Sequence, residues 1–406
     1  MDAATVLFTW ELGGGYGHVA AMAPIAAALR KRGFRVVSAI RDLTKRAAFD
    51  AEVDHPVLQC PIPLRRPTPH EPTPATYAQL LSNVGWGSDD QLEALAAGWR
   101  DLYRLIQPAA MVFEHSPTAI LAARTLEIPQ FSIGTGFVQP PHVSPLPVMA
   151  PWRERPAGSL ESFEQALVAR ANGVLTRLAG RPLTSLSALF ADLNANFLNT
   201  FPELDHYTAR EEGIYTGPLN LSPGPDPSGP AAGEPVPWPP GTGPKIFAYL
   251  KPLQGLPTLI RWLAGSGYPT IFVGDRVDLD ELRPQAGPSV TLLDRPIPLH
   301  QIRQECDVAI LNASHTSTAE FLLAGKPLLQ IPLTLEQAIL ANRTVELGVA
   351  LSASPHVGAQ VVSQLKALLS GNRFQHQAAQ FADRHTPTTP DPPAEKIAQQ
   401  IAEALK

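Results

Sequence analysis

Two clusters of residues in this 406-residue chain have the types and spacing to do chemistry. One is the small, polar run from Asn312 to Thr316, which passes into Ser317, Thr318 and, one turn on, Glu320. It lies between an apolar stretch, Val308 to Leu311, and a helical pattern closed by Gly325. Backbone N–H groups at a helix N-terminus lack intrahelical partners and carry the positive end of the dipole. The hydroxyls of Thr316, Ser317 and Thr318, with the amides beside them, therefore suit a phosphate. An ordinary N-capping loop is the plainer reading. The other cluster is Gly13-Gly14-Gly15-Tyr16-Gly17-His18, between an apolar run and a helical one. Glycines let the backbone pass close to a ligand, and an imidazole exchanges a proton near neutral pH. A histidine capping its helix is the plainer reading here. Gly13-x-Gly15-x-x-His18 does not make a dinucleotide fingerprint, because histidine stands where a third glycine must let helix and strand approach.

The elements that must position these residues follow from periodicity. Thr5 to Trp10, the glycine-rich turn, a helix with Val19, Met22, Ala26 and Leu29 at helical spacing, and Phe34 to Ile40 form the opening of a doubly wound α/β domain. Further on, PAAMVFE gives a strand ending in Glu114, then a helix to Leu126 and the strand Gln130 to Ile133. Parallel strands put their C-terminal tips on one side, so the Glu114 carboxylate shares an edge with His18; His115 is its competitor. Leu160 to Leu193 reads as helical. Leu221 to Gly243 is almost pure Pro, Gly, Ser and Ala, from which no core is built. A second α/β set follows: a strand from Lys245, a helix Leu256 to Ala264, strands Thr270 to Val273 and Val290 to Leu293, the 308–331 unit, and a turn carrying Glu336-Gln337. Helices Ala359 to Ser370 and Arg373 to Asp383 come next, and a last helix has Ile397, Ile401 and Leu405 on one stripe.

The bulk properties set the frame. The length fits two domains. A formal charge of -5 gives no basic field for nucleic acid. Cys60 and Cys306 have no metal-ligand spacing, no His/Cys/Asp cluster does, and two distant cysteines suit a reducing compartment. Neither a signal segment nor an integral membrane segment is legible, so the expectation is a cytoplasmic protein.

With its Glu-Gln turn, the 306–348 segment resembles the donor-binding region of family 1 glycosyltransferases, the UDP-glycosyltransferase-like branch of the GT-B fold, and GGGYGHVAAMAPIAAALRKRGFRV resembles that family's first loop and helix. The resemblance implies two doubly wound Rossmann-like domains facing each other across a cleft. Residues 1–220 would form the N-terminal acceptor-binding domain, 221–244 the linker, 245–390 the C-terminal donor-binding domain, and 391–406 a helix crossing back to the first. It implies His18 as the base, Glu114 as the acid that orients it, and Gly15 and Gly17 on the acceptor-side loop. It places the diphosphate on Thr316, Ser317 and Thr318, the ribose on Glu320, the sugar on Glu336 and Gln337, and the nucleobase near Ile297 and Pro298. The family's histidine falls on Asn312 and its two glycines on Ala313 and Ser314. Lys251, in AYLKP, stands where the family has small residues and is the candidate to restore a positive charge near the diphosphate.

The expected activity is inverting, metal-independent transfer of a hexose from a UDP or dTDP sugar, a co-substrate with no separate cofactor, to a hydroxyl of a small-molecule or glycan acceptor. A nucleotide-sugar-binding helper protein and an NDP-sugar epimerase are the alternatives. The acceptor site is expected in the loops at 60 to 90 and 139 to 160, which carry Trp86 and Trp152. Arg65, Arg66 and the run Arg30 to Arg32 are basic residues that an anionic acceptor would meet, a solvated face being the plainer reading.

Overall fold

The structure is a computed structural model that describes residues 3–50, 55–63, 74–152, 159–208, 210–219, 236–295, 297, 299–385 and 392–406. Arg65, Arg66, Pro298 and residues 221–235 of the expected 221–244 linker lie outside the described residues. The chain forms two compact units, Met1–Asn220 with Asp391–Lys406, and Leu221–Pro390.

The first unit runs β1 (Thr5–Trp10), α1 (Gly17–Lys31), β2 (Arg35–Ile40), α2 (Ala47–Asp50), β3 (Val57–Gln59), α3 (Tyr77–Leu81), α4 (Asp89–Ile106), β4 (Ala110–Glu114), α5 (Pro117–Ala123), β5 (Gln130–Gly134), α6 (Leu160–Leu178), α7 (Ala188–Ala191), β6 (Ala195–Leu198) and β7 (Ile214–Tyr215). Its strands pair in parallel in the order β3-β2-β1-β4-β5-β6-β7. Buried on both faces, the central strands read as unbroken apolar runs, Val6 to Phe8 and Ala110 to Phe113. The chain order reverses between β1 and β4, and the crevice outside the C-terminal ends of those strands is where open sheets of this kind bind ligands.

The second unit runs β8 (Ile246–Leu250), α8 (Leu256–Ser266), β9 (Thr270–Gly274), β10 (Val290–Leu293), α9 (Leu299–Glu305), β11 (Val308–Leu311), α10 (His315–Leu323), β12 (Leu328–Gln330), α11 (Leu335–Glu346), β13 (Ala350–Ser352), α12 (Gly358–Leu369) and α13 (Arg373–His385). Its parallel sheet, β10-β9-β8-β11-β12-β13, reverses between β8 and β11. A terminal helix, α14 (Pro393–Glu403), belongs to the first unit. Ile397 and Ile401 are fully buried in the cluster that contains α1, worth about 1.5–3 kcal/mol each, and Arg32 pairs with Glu395.

Three local expectations are corrected. Glu336 and Gln337 sit in the first turn of α11, not in a free turn, because Thr334 caps that helix by accepting from Gln337 N at 3.3 Å. The helix from Leu160 stops at Leu178, where Ala179 adopts a left-handed φ of 58°. The helix after β4 ends at Ala123. Among the described residues, no helix is long and apolar enough to cross a membrane.

Candidate functional site

At the switch point of the first unit, Thr9 and Trp10 of β1 lie level with Phe113 and Glu114 of β4. The strand ends thus deliver the His18 loop and the Glu114 carboxylate to one spot. His18 Nδ1 and Glu114 Oε1 are 2.8 Å apart, the carboxylate buried and the imidazole mostly so. The imidazole stacks on Trp10, with ring centroids 5.3 Å apart and planes 23° apart. The need for glycine in GGGYGH falls on Gly13. Its φ is +87°, and a Cβ there would collide with the His18 imidazole, whereas at Gly15 a Cβ would meet nothing closer than the Gly17 nitrogen at 3.9 Å. Gly17 is the first residue of α1, which places His18 at that helix's first turn. An imidazole hydrogen-bonded to a buried carboxylate through one nitrogen has a fixed tautomer and a fixed ring plane.

Three residues frame this pair; Glu11 and Trp10 were not singled out by pattern, and His115 was noted only as the competitor of Glu114. Glu11 is buried, and its Oε2 accepts from the Thr118 and Ala119 N–H groups in the first turn of α5 at 2.9 and 3.2 Å. Burial pushes its carboxyl up to about 7, against those hydrogen bonds. Trp10 donates Nε1–H to the Leu12 carbonyl at 2.6 Å. His115, in a left-handed backbone conformation (φ 38°), accepts from Leu12 N through its carbonyl at 3.0 Å. A glutamate directly after an apolar strand, facing Glu-His-Ser-Pro at the end of another, was the available signal for this clamp. Trp86, expected in an acceptor loop, is instead core: it is fully buried and donates to Thr118 Oγ1 at 3.0 Å. Trp152 is half exposed.

In the second unit, Asn312 follows β11 and Lys251 follows β8, neighbouring strands. Asn312 is buried and its amide is spent on the backbone. Oδ1 accepts from Lys251 N at 2.7 Å and Nδ2 donates to the Ile331 carbonyl at 2.8 Å, tying three strand ends together. Ala313 takes a left-handed φ of 57°, a conformation that favours glycine. Thr316 is half-buried at the start of α10, and Ser317 Oγ accepts from Ser314 Oγ at 3.2 Å. The third hydroxyl departs from the expectation: Thr318 is fully buried and its Oγ1 accepts from Gln330 Nε2 at 3.2 Å, pointing into the sheet. Glu320 is buried, with Arg303 Nη1 at 4.0 Å. Gln337 folds its Oε1 onto Leu333 N at 2.8 Å, beside half-buried Glu336. The Lys251 ammonium is part exposed, 3.8 Å from Asp275 Oδ2. Ile297 is buried. Of the phosphate cradle read from the sequence, the α10 N-terminus with Thr316 and Ser317 is present, and Thr318 is turned away. Among the described residues, no group of three or more His, Cys, Asp or Glu side chains is placed to hold a metal.

No protein-family profile matches the chain, and no protein of curated function matches its sequence. Its fold is shared with solved glycosyltransferases over the full length. The glycotransferase of kitacinnamycin is 17% identical, with 100% of both chains covered and a TM-score of 0.68. The calicheamicin glycosyltransferase CalG4 is 18% identical, with 100% of this chain and 97% of that one covered and a TM-score of 0.67. The glycosyltransferase VinC, solved in complex with dTDP, is 16% identical, with 99% of each chain covered and a TM-score of 0.68. At these identities the likeness establishes the fold.

Proposed function

We propose that the chain is an inverting glycosyltransferase that moves a hexose from a nucleotide diphosphate sugar to a hydroxyl of a small-molecule or glycan acceptor, without a metal in the step. The observation that carries this reading is the 2.8 Å hydrogen bond between His18 and Glu114 at the switch point of a sheet in a glycosyltransferase fold. Glu114 accepts from Nδ1–H and leaves Nε2 with its lone pair. Nε2 takes the acceptor hydroxyl's proton as that oxygen attacks the anomeric carbon from the face opposite the diphosphate. The bond from anomeric carbon to phosphate oxygen breaks, the nucleoside diphosphate leaves with the electron pair, and the configuration inverts. Glu114 stabilises the imidazolium that results. Proton transfer to a positioned base is worth about 10²- to 10⁴-fold.

On the donor side, the N–H groups at the start of α10 with Thr316 and Ser317 would hold the diphosphate through unpaired donors and the helix dipole. Glu320 would take the ribose, Glu336 and Gln337 the sugar hydroxyls, and Ile297 would line the base. The Lys251 ammonium would add the charge that Asn312 cannot carry. Two solved neighbours, VinC and the Streptomyces sp. SF2575 enzyme SsfS6, hold thymidine diphosphate, which supports a dTDP or UDP sugar as donor. The sugar nucleotide would be a co-substrate, with no separate cofactor in the reaction.

A second reading, a nucleotide-sugar-binding protein with little transferase activity, draws on Asn312, whose amide is committed to the backbone where the family carries a histidine. Incubation with α-linked UDP and dTDP sugars and an acceptor panel, with the product's anomeric proton read by NMR, tests the proposal. A β-linked product is expected. An α-linked product would refute inversion, and donor binding with no product across the panel would favour the second reading.

A further inference from the structure

Buried polar atoms without a hydrogen-bond partner are uncommon in folded proteins, and several of the first unit's gather at one place. Glu114 Oε2, both ring nitrogens of His115, Thr135 Oγ1, Gln139 Oε1 and Asn199 Oδ1 are buried with no such partner among the described residues. His115, Thr135 and Asn199 directly follow the ends of β4, β5 and β6, three neighbouring strands. Register sets them side by side, because Glu114 lies level with Ile133 and Gly134 level with Leu198. A Cβ on Gly134 would stand 3.8 Å from Glu114 Oε1 and 3.4 Å from Gln139 Nε2, which places the Gln139 amide near the carboxylate.

His115 is the centre of this row. Its ring lies 5.9 Å from that of His18. Its left-handed backbone conformation costs free energy at a non-glycine residue. Burial pushes its pKa well below the ordinary imidazole value, so the ring is neutral and offers one donor and one acceptor. Among the described residues neither has a hydrogen-bond partner. Phe137 lies edge-on to it, with centroids 6.4 Å apart.

We infer that His115 is a specificity-determining residue that hydrogen-bonds a second hydroxyl of the acceptor, with Gln139 and Asn199 taking further oxygens, so that the acceptor class is a polyhydroxylated molecule with hydroxyls on neighbouring carbons. The inference rests on the reading of His18 as the residue that holds the reacting hydroxyl. Two imidazoles at this separation reach two oxygens on adjacent carbons, and one hydroxyl presented to each satisfies groups that a mono-alcohol leaves buried and unpaired.

The test titrates the full chain, without nucleotide sugar, with nitrocatechol and with the matching nitrophenol, chromophores that differ by one vicinal hydroxyl. Wild type should bind the catechol about tenfold more tightly, and H115F should reduce that preference to within about twofold while its nitrophenol affinity stays unchanged. H115Q, whose amide both donates and accepts, should keep part of the preference and serves if H115F does not fold. Equal affinity of wild type for the two probes, failure of wild type to bind the catechol at millimolar concentration, or a preference that survives in H115F would overturn the inference. The titrations contain no donor. A failure of the transferase reading would appear separately, as absent turnover with the diol preference intact.

Discussion

At the switch point of the first sheet, between β1 and β4, the strand ends bring together an imidazole and a carboxylate at 2.8 Å. At the matching point of the second sheet, between β8 and β11, they bring together a backbone N–H and an asparagine amide at 2.7 Å. Topology and register are alike, and the chemistry is not. In the first crevice Glu114 holds the His18 imidazole, while Glu114 Oε2 and both His115 ring nitrogens have no hydrogen-bond partner among the described residues. In the second, the Asn312 and Gln337 side chains hydrogen-bond to backbone and Thr318 to Gln330, and Thr316 and Ser317 stand at the α10 N-terminus. Under the proposed function, the first crevice transfers a proton through side chains and the second binds an anion through backbone.

The sharpest way to break this comparison is Gly13→Ala. The new methyl would collide with the His18 imidazole at a φ of +87° and push the ring off Glu114. Because small misplacements of a reacting group are costly, transfer should fall by about 10²-fold, while Gly15→Ala, with open space around it, should stay within about twofold. Steady-state turnover of both variants decides. On the other side, Asn312→Ala leaves the Lys251 N–H and the Ile331 carbonyl without their partner, so it should destabilise the second unit by about 2–4 kcal/mol in chemical denaturation. Unchanged stability with weakened nucleotide binding would mean that this amide faces the ligand, and the contrast would fail.

Glu11→Gln probes the first crevice through pH. The Glu11 carboxyl is raised from 4.5 to about 7, so it holds its proton more tightly folded than unfolded. Its contribution is present below the unfolded value and is lost as pH rises to about 7, by at most about 3 kcal/mol. The wild-type thermal midpoint should therefore fall relative to Glu11→Gln across that window, and parallel curves would contradict the assignment. The smallest effect is Ala313→Gly, which relieves a left-handed φ of 57° and should stabilise the second unit by up to about 1 kcal/mol.

The sequence made the strands legible where apolar runs end in glycine or polar residues. Thr5–Trp10, Val290–Leu293 and Val308–Leu311 are strands over the expected bounds. The meeting of His18 and Glu114 was legible too, because each belongs to a strand's C-terminal edge and parallel sheets align such edges. Side-chain direction was not. Nothing in Thr316-Ser317-Thr318 says which hydroxyl turns inward; that is set by Gln330, on the next strand. Likewise, the unpaired state of His115 depends on what packs around it from β5 and Phe137, and a residue pattern does not record that. The helix from Leu160 ends at Leu178 with Ala179 in a left-handed conformation; Gly180 and Pro182 were the available stop signals, and the expectation ran through them. The capping pair Thr334 and Gln337 was in plain view, but the expectation placed Glu336 and Gln337 in a turn and not in the first turn of a helix.

The central claim is that His18, held by Glu114, takes the acceptor proton. The most direct measurement compares His18→Ala with wild type in two assays on the same preparation: sugar transfer, and calorimetric titration with nucleoside diphosphate. Transfer should drop by about 10²- to 10⁴-fold while nucleotide affinity stays within about twofold. Near wild-type transfer by the variant would contradict the account.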